Sequence, residues 1–373
     1  MEEAGVRHVP DVQYGRFPQG ASRRRKGIYN KGMHLLEYPP EKLQAWCVEQ
    51  GLPGYRASQV WRWIGARGAT SFEQMTDLPV PLRARLAECF QIESTRLVTS
   101  READDGTRKL LLSLGDGNRI ECVLLCDDRG HHAICLSTQV GCAMGCVFCA
   151  SGLSGVERNL HTGEIIEQML QLQRLLPPPQ RVSHVVVMGM GEPLANLPAL
   201  MPALAVASSP AGFGISPRRI TISTVGLPPA IRRLGREGCQ YHLAVSLHAP
   251  NDALRDQLVP TNRQTGIAEI LAASDDYFEQ SGRRVTFEYV LLGDINDQPE
   301  HARQLVALLQ GRPALVNLIP YNPVDGLPYR TPPSRVTAAF VEILTQGGLN
   351  VKIRYRKGNR IAAACGQLRR SEG

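Results

Sequence analysis

From residue 130 onward, short apolar runs alternate with stretches of helical periodicity, and this alternation limits the fold more than any other feature of the chain. The strand candidates are 133–137, 183–188, 219–224, 242–247, 285–291 and 315–319, with another at 351–355. Between them, 163–176, 227–237, 267–279 and 299–309 carry apolar residues at helical spacing. Strands joined through helices pair in parallel, because each helix returns the chain to the edge from which it left. Six or so such strands fit an α/β fold of the partial (β/α)6 barrel kind, and an open doubly wound sheet would give the same string. In both architectures ligands bind at the carboxyl ends of the strands.

Upstream the character changes twice. Residues 1–37 are polar and aperiodic and read as a basic, mobile tail without a core. Residues 38–95 read as a small helical accessory domain. Pro39-Pro40 opens a segment whose Leu43, Trp46 and Cys47 lie at i, i+3 and i+4, and Gly51 closes it. Val60, Trp61 and Ile64 repeat that spacing within 57–66, and Ser71-Phe-Glu-Gln74 has the form of a capping box. Residues 96–127 read as a β-meander linker, with Asp105-Gly106 and Asp116-Gly117 as hairpin turns between 96–99, 109–114 and 119–125. The remainder, 128–373, is the barrel core.

The 373 residues carry a net charge of +7. The charge is uneven: residues 1–32 hold +4, residues 350–373 hold +6, and the middle holds −3. Basic ends on a near-neutral body suit a phosphate backbone, although the Arg23-Arg24-Arg25-Lys26 run alone could equally be a solvated tail. The accessory segment adds Arg56, Arg62 and Arg67 beside Trp61 and Trp63, a basic and aromatic makeup that suits RNA and equally suits a small core with a solvated face. The first thirty residues hold no apolar stretch of signal-peptide length, and no run of eighteen apolar residues occurs, so the expectation is a soluble, cytoplasmic protein without membrane contact.

Ten cysteines in a reducing compartment point to metal or redox chemistry when they crowd, and Cys122, Cys126, Cys135, Cys142, Cys146 and Cys149 fall within 28 positions. Gly-Cys-Ala-Met-Gly-Cys-Val-Phe-Cys at 141–149 spaces three thiols as C-x-x-x-C-x-x-C after the first barrel strand. Three ligands to a four-iron cluster leave one iron open. That iron can chelate the amino and carboxylate groups of S-adenosylmethionine and deliver an electron to its sulfonium. A structural zinc site would instead want paired C-x-x-C elements and a fourth ligand such as His161 or Cys135. Further polar groups fall at strand ends: Gly191 and Glu192 in Gly-Met-Gly-Glu-Pro (189–193), Ser223, Ser246, Leu247, His248 and Asn322. Singly each could be a satisfied core or turn residue; their recurrence at one barrel end favours a cofactor site.

These stretches resemble a known family across residues 40 to 369. Gln-Val-Trp-Arg-Trp-Ile (59–64), Met-Thr-Asp-Leu-Pro (75–79), Asp-Gly-Thr-Arg-Lys (105–109), the cysteine loop, Gly-Met-Gly-Glu-Pro-Leu (189–194), Ser-Leu-His-Ala-Pro-Asn-Asp (246–252) and Ala-Cys-Gly-Gln-Leu (364–368) are similar, in order, to the radical S-adenosylmethionine adenine-C2 methyltransferases of 23S ribosomal RNA, which also modify transfer RNA.

The resemblance implies methylation at C2 of adenosine 2503 in 23S ribosomal RNA and of adenosine 37 in transfer RNAs. It implies a 4Fe–4S cluster held by Cys142, Cys146 and Cys149, with two S-adenosylmethionine molecules used per turnover. One methylates Cys365 by displacement; the other yields a 5′-deoxyadenosyl radical that takes hydrogen from the S-methyl group. The methylene radical adds to adenine C2, a carbon too electron-poor to attack a sulfonium. Cys135 then deprotonates the adduct and resolves it through a disulfide with Cys365. Glu121 matches the family's proton acceptor, at a slightly different spacing from Cys135, and Gly191, Glu192, Ser223, Ser246, Leu247, His248 and Asn322 match cofactor contacts. The implied partners are ribosomal and transfer RNA and a flavodoxin or ferredoxin electron donor, with the enzyme acting as a monomer. Two departures stand out: 358–364 lacks the acidic residues that the family usually places before this cysteine, and the tail after Leu368 ends early.

Three other readings remain open on sequence. A sister activity methylates C8 of the same ribosomal adenosine with the same cysteines; Pro193 and Met-Thr-Asp-Leu-Pro favour the C2 type. A non-catalytic RNA-binding protein with a structural metal would leave Cys135 and Cys365 without a reason. A glycyl-radical activating enzyme, or another member of the radical class, shares the cysteine loop but needs neither Cys365 nor basic ends.

Overall fold

The structure, a computed structural model, describes residues 33–127, 130–354 and 361–369. The Arg23–Lys26 run, most of the basic tail and 355–360 lie outside the described residues. Ten strands form one sheet: β1 (Arg96–Glu102), β2 (Arg108–Ser113), β3 (Arg119–Cys126), β4 (His132–Cys135), β5 (Val182–Val187), β6 (Ile220–Thr224), β7 (His242–Ser246), β8 (Val285–Leu291), β9 (Ala314–Pro320) and β10 (Val351–Ile353). Their spatial order follows chain order from β1 to β10, and every pair from β4 onward is parallel. A doubly wound sheet must reverse its strand order at a switch point. This sheet never reverses, which decides for the partial barrel.

The parallel strands are largely buried on both faces, the outer one under helices and the inner one in the barrel interior, so they read as runs rather than alternations. The covering helices are α4 (Thr162–Gln173), α5 (Leu197–Ser208), α6 (Pro228–Arg236), α8 (Ile267–Ser281), α9 (Pro299–Leu309) and α10 (Ser334–Gln346), with the short α7 (Asp252–Leu258) after β7. α8 shows the local logic. Ile267, Ile270, Leu271, Ser274 and Tyr277 recur at three- and four-residue steps and are buried, and Gly282 stops the helix in a left-handed conformation with its N–H donating to Phe278 O.

The accessory domain is α1 (Pro40–Glu49), α2 (Arg56–Gly65) and α3 (Val80–Cys89). Pro40 stands in the first turn of α1, where its missing N–H costs nothing. Three expectations fail here. The tail does not run to residue 37: Met33–His34 pairs in parallel with Phe90–Gln91, and Leu35 and Leu36 are fully buried. Ser71 caps a short 3-10 turn without a side-chain bond, while Gln74 Oε1 accepts from Thr70 N, so no capping box forms. Nor is the meander only a linker. β3 pairs antiparallel with β4, with Val123 opposite Cys135, so β1 to β3 extend the barrel sheet to an exposed edge.

The accessory domain locks onto α4. Glu167, 1% exposed at its side chain, accepts from His34 Nε2 at 2.5 Å, Ser94 N at 2.5 Å and Thr95 N at 2.7 Å, and Glu37 accepts from Gly163 N. Gly163 permits the approach, because a Cβ there would lie 2.2 Å from His34 Nδ1. Among the described residues, no helix is long and apolar enough to cross a membrane.

Candidate active site

The cysteine loop leaves not from β4 itself but from an antiparallel ribbon of Gln139–Gly141 with Val156–Asn159, which closes the loop at its base. Gly141 has φ +83°, and a Cβ there would strike Gly155 O at 2.0 Å. The loop therefore requires glycine at that position. Within it Cys149 N donates to Cys146 O and Val147 N to Leu258 O. Cys142, Cys146 and Cys149 all line an open cavity of about 880 Å³ at the carboxyl ends of the parallel strands, together with the apolar Met144, Phe148 and Val225.

Burial pushes all three thiols up, Cys142 to about 12; the neighbouring loop thiolates add to it for Cys142 and Cys146, and Cys365 adds to it for Cys149. Left alone they would stay protonated at neutral pH. Among the described residues, no three His, Cys, Asp or Glu side chains are gathered so as to hold a metal ion. His161 is exposed and begins α4, its N–H donating to Glu164 Oε2 at 2.8 Å, and Cys135 lines a different cavity. The fourth ligand that zinc would need is thus not supplied by either candidate. Three soft donors that become stable thiolates only against a strong positive charge fit an iron–sulfur cluster, whose larger body spans wider than one ion.

The next strand end supplies a fixed carboxylate. A Cβ on Gly189 would lie 2.6 Å from Leu136 O, and one on Gly191 (φ +104°) 2.6 Å from the Gln139 side chain, so both glycines let this turn press against the ribbon. Glu192, 3% exposed, accepts from Leu194 N at 3.0 Å and Val225 N at 2.8 Å. Burial raises its carboxyl pKa while these N–H donors pull it down. The two bonds fix the carboxylate in the wall of the cavity that holds the cysteines.

His248 has φ +58°, strained for a residue with a Cβ, and Val290 N donates to its Nδ1 at 3.0 Å. The bond makes Nδ1 an acceptor, so the neutral ring carries its proton on Nε2. Burial, with the Arg255 cation, lowers its pKa to about 3. Arg255 is itself buried and donates to Leu247 O, Ser246 O, Val225 O and Asn262 Oδ1, tying three strand-end carbonyls together. Ser223 Oγ donates to Glu288 Oε2 at 2.9 Å. Ser223, Ser246, His248, Glu288 and Asn322 all line the cavity beside the cysteines.

A second cavity of about 750 Å³ is lined by Cys135, Leu125, Met188, Asn322, Arg354 and Cys365. Cys365 and Asn322 belong to both cavities. Burial pushes the Cys135 thiol up to about 12, neighbouring Cys365 adds to that, and Arg354 opposes it. Asn322 Nδ2 donates to Cys365 O at 3.2 Å, while its Oδ1 is buried without a partner. The Cys365 loop also rests on the cysteine loop, through Ala150 N to Gly366 O and Ser151 Oγ to Leu368 O.

Two expected residues stand apart. Leu247 is buried in the core outside the cavity lining, and its carbonyl is taken by Arg255. Glu121 lines neither cavity; its carboxylate meets Lys109 Nζ at 2.8 Å and Arg369 N at 2.9 Å. Both oxygens are engaged, which does not suit a proton acceptor facing a substrate. Conversely, Glu288 and Arg354 were not expected. A lone carboxylate within the apolar 285–291 run was the available signal for the first.

Residues 33–92 match the family model described as "Ribosomal RNA large subunit methyltransferase N-terminal domain", and residues 136–306 match the Radical SAM superfamily. A Rhodopirellula baltica protein named "Probable dual-specificity RNA methyltransferase RlmN" is 60% identical over 340 residues, 91% of each chain. The chain belongs to the RlmN family of radical SAM methyltransferases. A Moorella thermoacetica protein of the same name is 48% identical over 88% of this chain and 95% of its own. The crystal structure of a radical SAM methyltransferase from Sphaerobacter thermophilus, 42% identical, superposes with a TM-score of 0.88 over 91% of this chain and all of that one. Family membership brings a 4Fe–4S cluster and S-adenosylmethionine as cofactors, and it excludes the non-catalytic and glycyl-radical activating readings.

Proposed function

We propose that this enzyme methylates C2 of adenosine 2503 in 23S ribosomal RNA and of adenosine 37 in transfer RNAs, through a methylated Cys365. The observation that carries the reading is the position of Cys365 in the wall between two cavities, one lined by Cys142, Cys146 and Cys149 and the other by Cys135. Cys142, Cys146 and Cys149 would hold the cluster. Bound there with S-adenosylmethionine, it supplies a 5′-deoxyadenosyl radical on reduction by a flavodoxin or ferredoxin. Glu192 receives the ammonium of the methionine part, and Ser223, Ser246, His248 and Asn322 supply the remaining polar contacts.

Cys365 acts as nucleophile toward the first methyl group, with Arg354 as the cation beside its sulfur. Carried as a thioether, the methyl group can be presented to the cofactor cavity and then to a base held in the second cavity. Once the adduct has given one electron up to the oxidised cofactor, Cys135 would take the proton from the adduct carbon. Its sulfur would bond to that of Cys365, breaking the S–CH2 bond so that the methylene carbon leaves with the electron pair and gains that proton to become the methyl group.

Exposed Arg62 and Arg67, the latter 4.1 Å over the Trp63 ring, give the accessory domain a basic face for RNA, while Trp61 is fully buried and serves the core. The naming of relatives as dual-specificity RNA methyltransferases supports both RNA substrates. Pro193 and the Met75–Pro79 run favour C2 over C8.

The test is anaerobic reconstitution followed by mass spectrometry of nucleosides from ribosomal RNA treated with wild type or Cys365→Ala. The reading requires 2-methyladenosine from wild type and none from the variant. 8-Methyladenosine would move the enzyme to the sister activity, and cofactor cleavage without RNA product would withdraw the substrate.

A further inference from the structure

The geometry points to Lys109 and Glu121 as a positioning pair that clamps both flanks of the Cys365 loop; its importance for methylation rests on the role proposed for Cys365, but the clamp itself does not. Lys109 lies on β2 opposite Val123, and Glu121 lies on β3 opposite Leu111, so the two project from one face of the meander at diagonal positions. Lys109 is 7% exposed and Glu121 1% exposed. Burying both charges is costly, and stability alone would be served as well by two apolar residues.

The pair holds a specific backbone. Lys109 Nζ, 2.8 Å from Glu121 Oε1, also donates to Ala362 O at 3.0 Å. Glu121 Oε2 accepts from Arg369 N at 2.9 Å. One main-chain group is thus held before Cys365 and one after it. Ala362 has φ +50°, a conformation that a residue with a Cβ keeps only where its surroundings enforce it. From the cavity side Asn322, Ala150 and Ser151 hold Cys365 O, Gly366 O and Leu368 O. The loop is therefore gripped between the meander and the cysteine loop, which places the Cys365 sulfur at the junction of the cavities. Since Glu121 reaches neither cavity, it acts through the loop and not on substrate.

The test labels the full-length protein with a maleimide and follows each cysteine by peptide mass spectrometry, alongside RNA methylation by the reconstituted enzyme. Glu121→Gln and Lys109→Met are expected to speed labelling of Cys365 at least tenfold and lower kcat for methylation, with Cys47 in the accessory core unchanged. Lys109→Arg should restore slow labelling. The double variant Lys109→Met with Glu121→Leu keeps the sheet packed while removing both ties, and should label like the single variants. Unchanged Cys365 labelling, with or without loss of methylation, overturns the clamp, and so does a parallel rise at Cys47. A wild type that methylates no RNA while Cys365 labelling still responds would remove the proposed function and leave the clamp standing.

Discussion

Cys135, at the end of the first parallel strand, and Cys365, in the last described loop, line one cavity with Arg354 between their electrostatic influences. In the sheet β4 borders the meander while β10 lies at the opposite edge, yet the two thiols share one cavity. Cys365 lines the first cavity as well, so it is the thiol common to Cys135 on one side and the three loop cysteines on the other.

Cys135 should react with alkylating agents only as a rare thiolate. With its thiol pushed to about 12, its rate should climb about tenfold per pH unit from pH 7.5 to 9.5 without levelling. Peptide-resolved iodoacetamide kinetics measure this. A plateau below pH 9.5 would show that Arg354 outweighs burial.

His248 makes stability depend on pH in a defined window. Its folded value of about 3 lies below the ordinary imidazole value, so between pH 6.5 and 3 the unfolded chain binds a proton that the folded chain refuses. Stability contributed by the neutral ring is present above that window and lost as pH falls, by at most about 1.4 kcal/mol per unit. In denaturant titrations between pH 6 and 4.5, His248→Gln should flatten the slope. An unchanged slope would mean that the ring is protonated in the fold.

Docking of the accessory domain should depend on Glu167. Truncation in Glu167→Ala leaves His34 and the Ser94 and Thr95 amides without their acceptor, at a cost of about 3–5 kcal/mol in chemical denaturation. A loss under 1 kcal/mol would mean that water replaces the carboxylate and that this seam is loose.

The parallel strands were legible because near-continuous apolar runs such as 285–291 survive burial on both faces, and their edges fall within a residue or two of the expected ones. Strand order was not, since identical runs suit a barrel and a doubly wound sheet; only pairing decides. Leu35 and Leu36 were lost in a polar, aperiodic stretch, where two buried residues make no period. At the site, the cysteine loop announced itself by spacing, as did Glu192 by its glycines. Glu121 shows the reverse: a matching position lent it a role, while its contacts with Lys109 and Arg369 N could not be read from the chain. Partners across a sheet are invisible to a reading that follows the chain.

The central claim is that Cys365 carries the methyl group. The most direct measurement is peptide mapping after the reconstituted enzyme meets methyl-labelled S-adenosylmethionine without RNA. The account predicts one labelled methyl on the peptide containing Cys365, none on Cys135 or on the three loop cysteines, and transfer of that label when RNA is added. Methylated RNA formed while Cys365 stays unlabelled would contradict it.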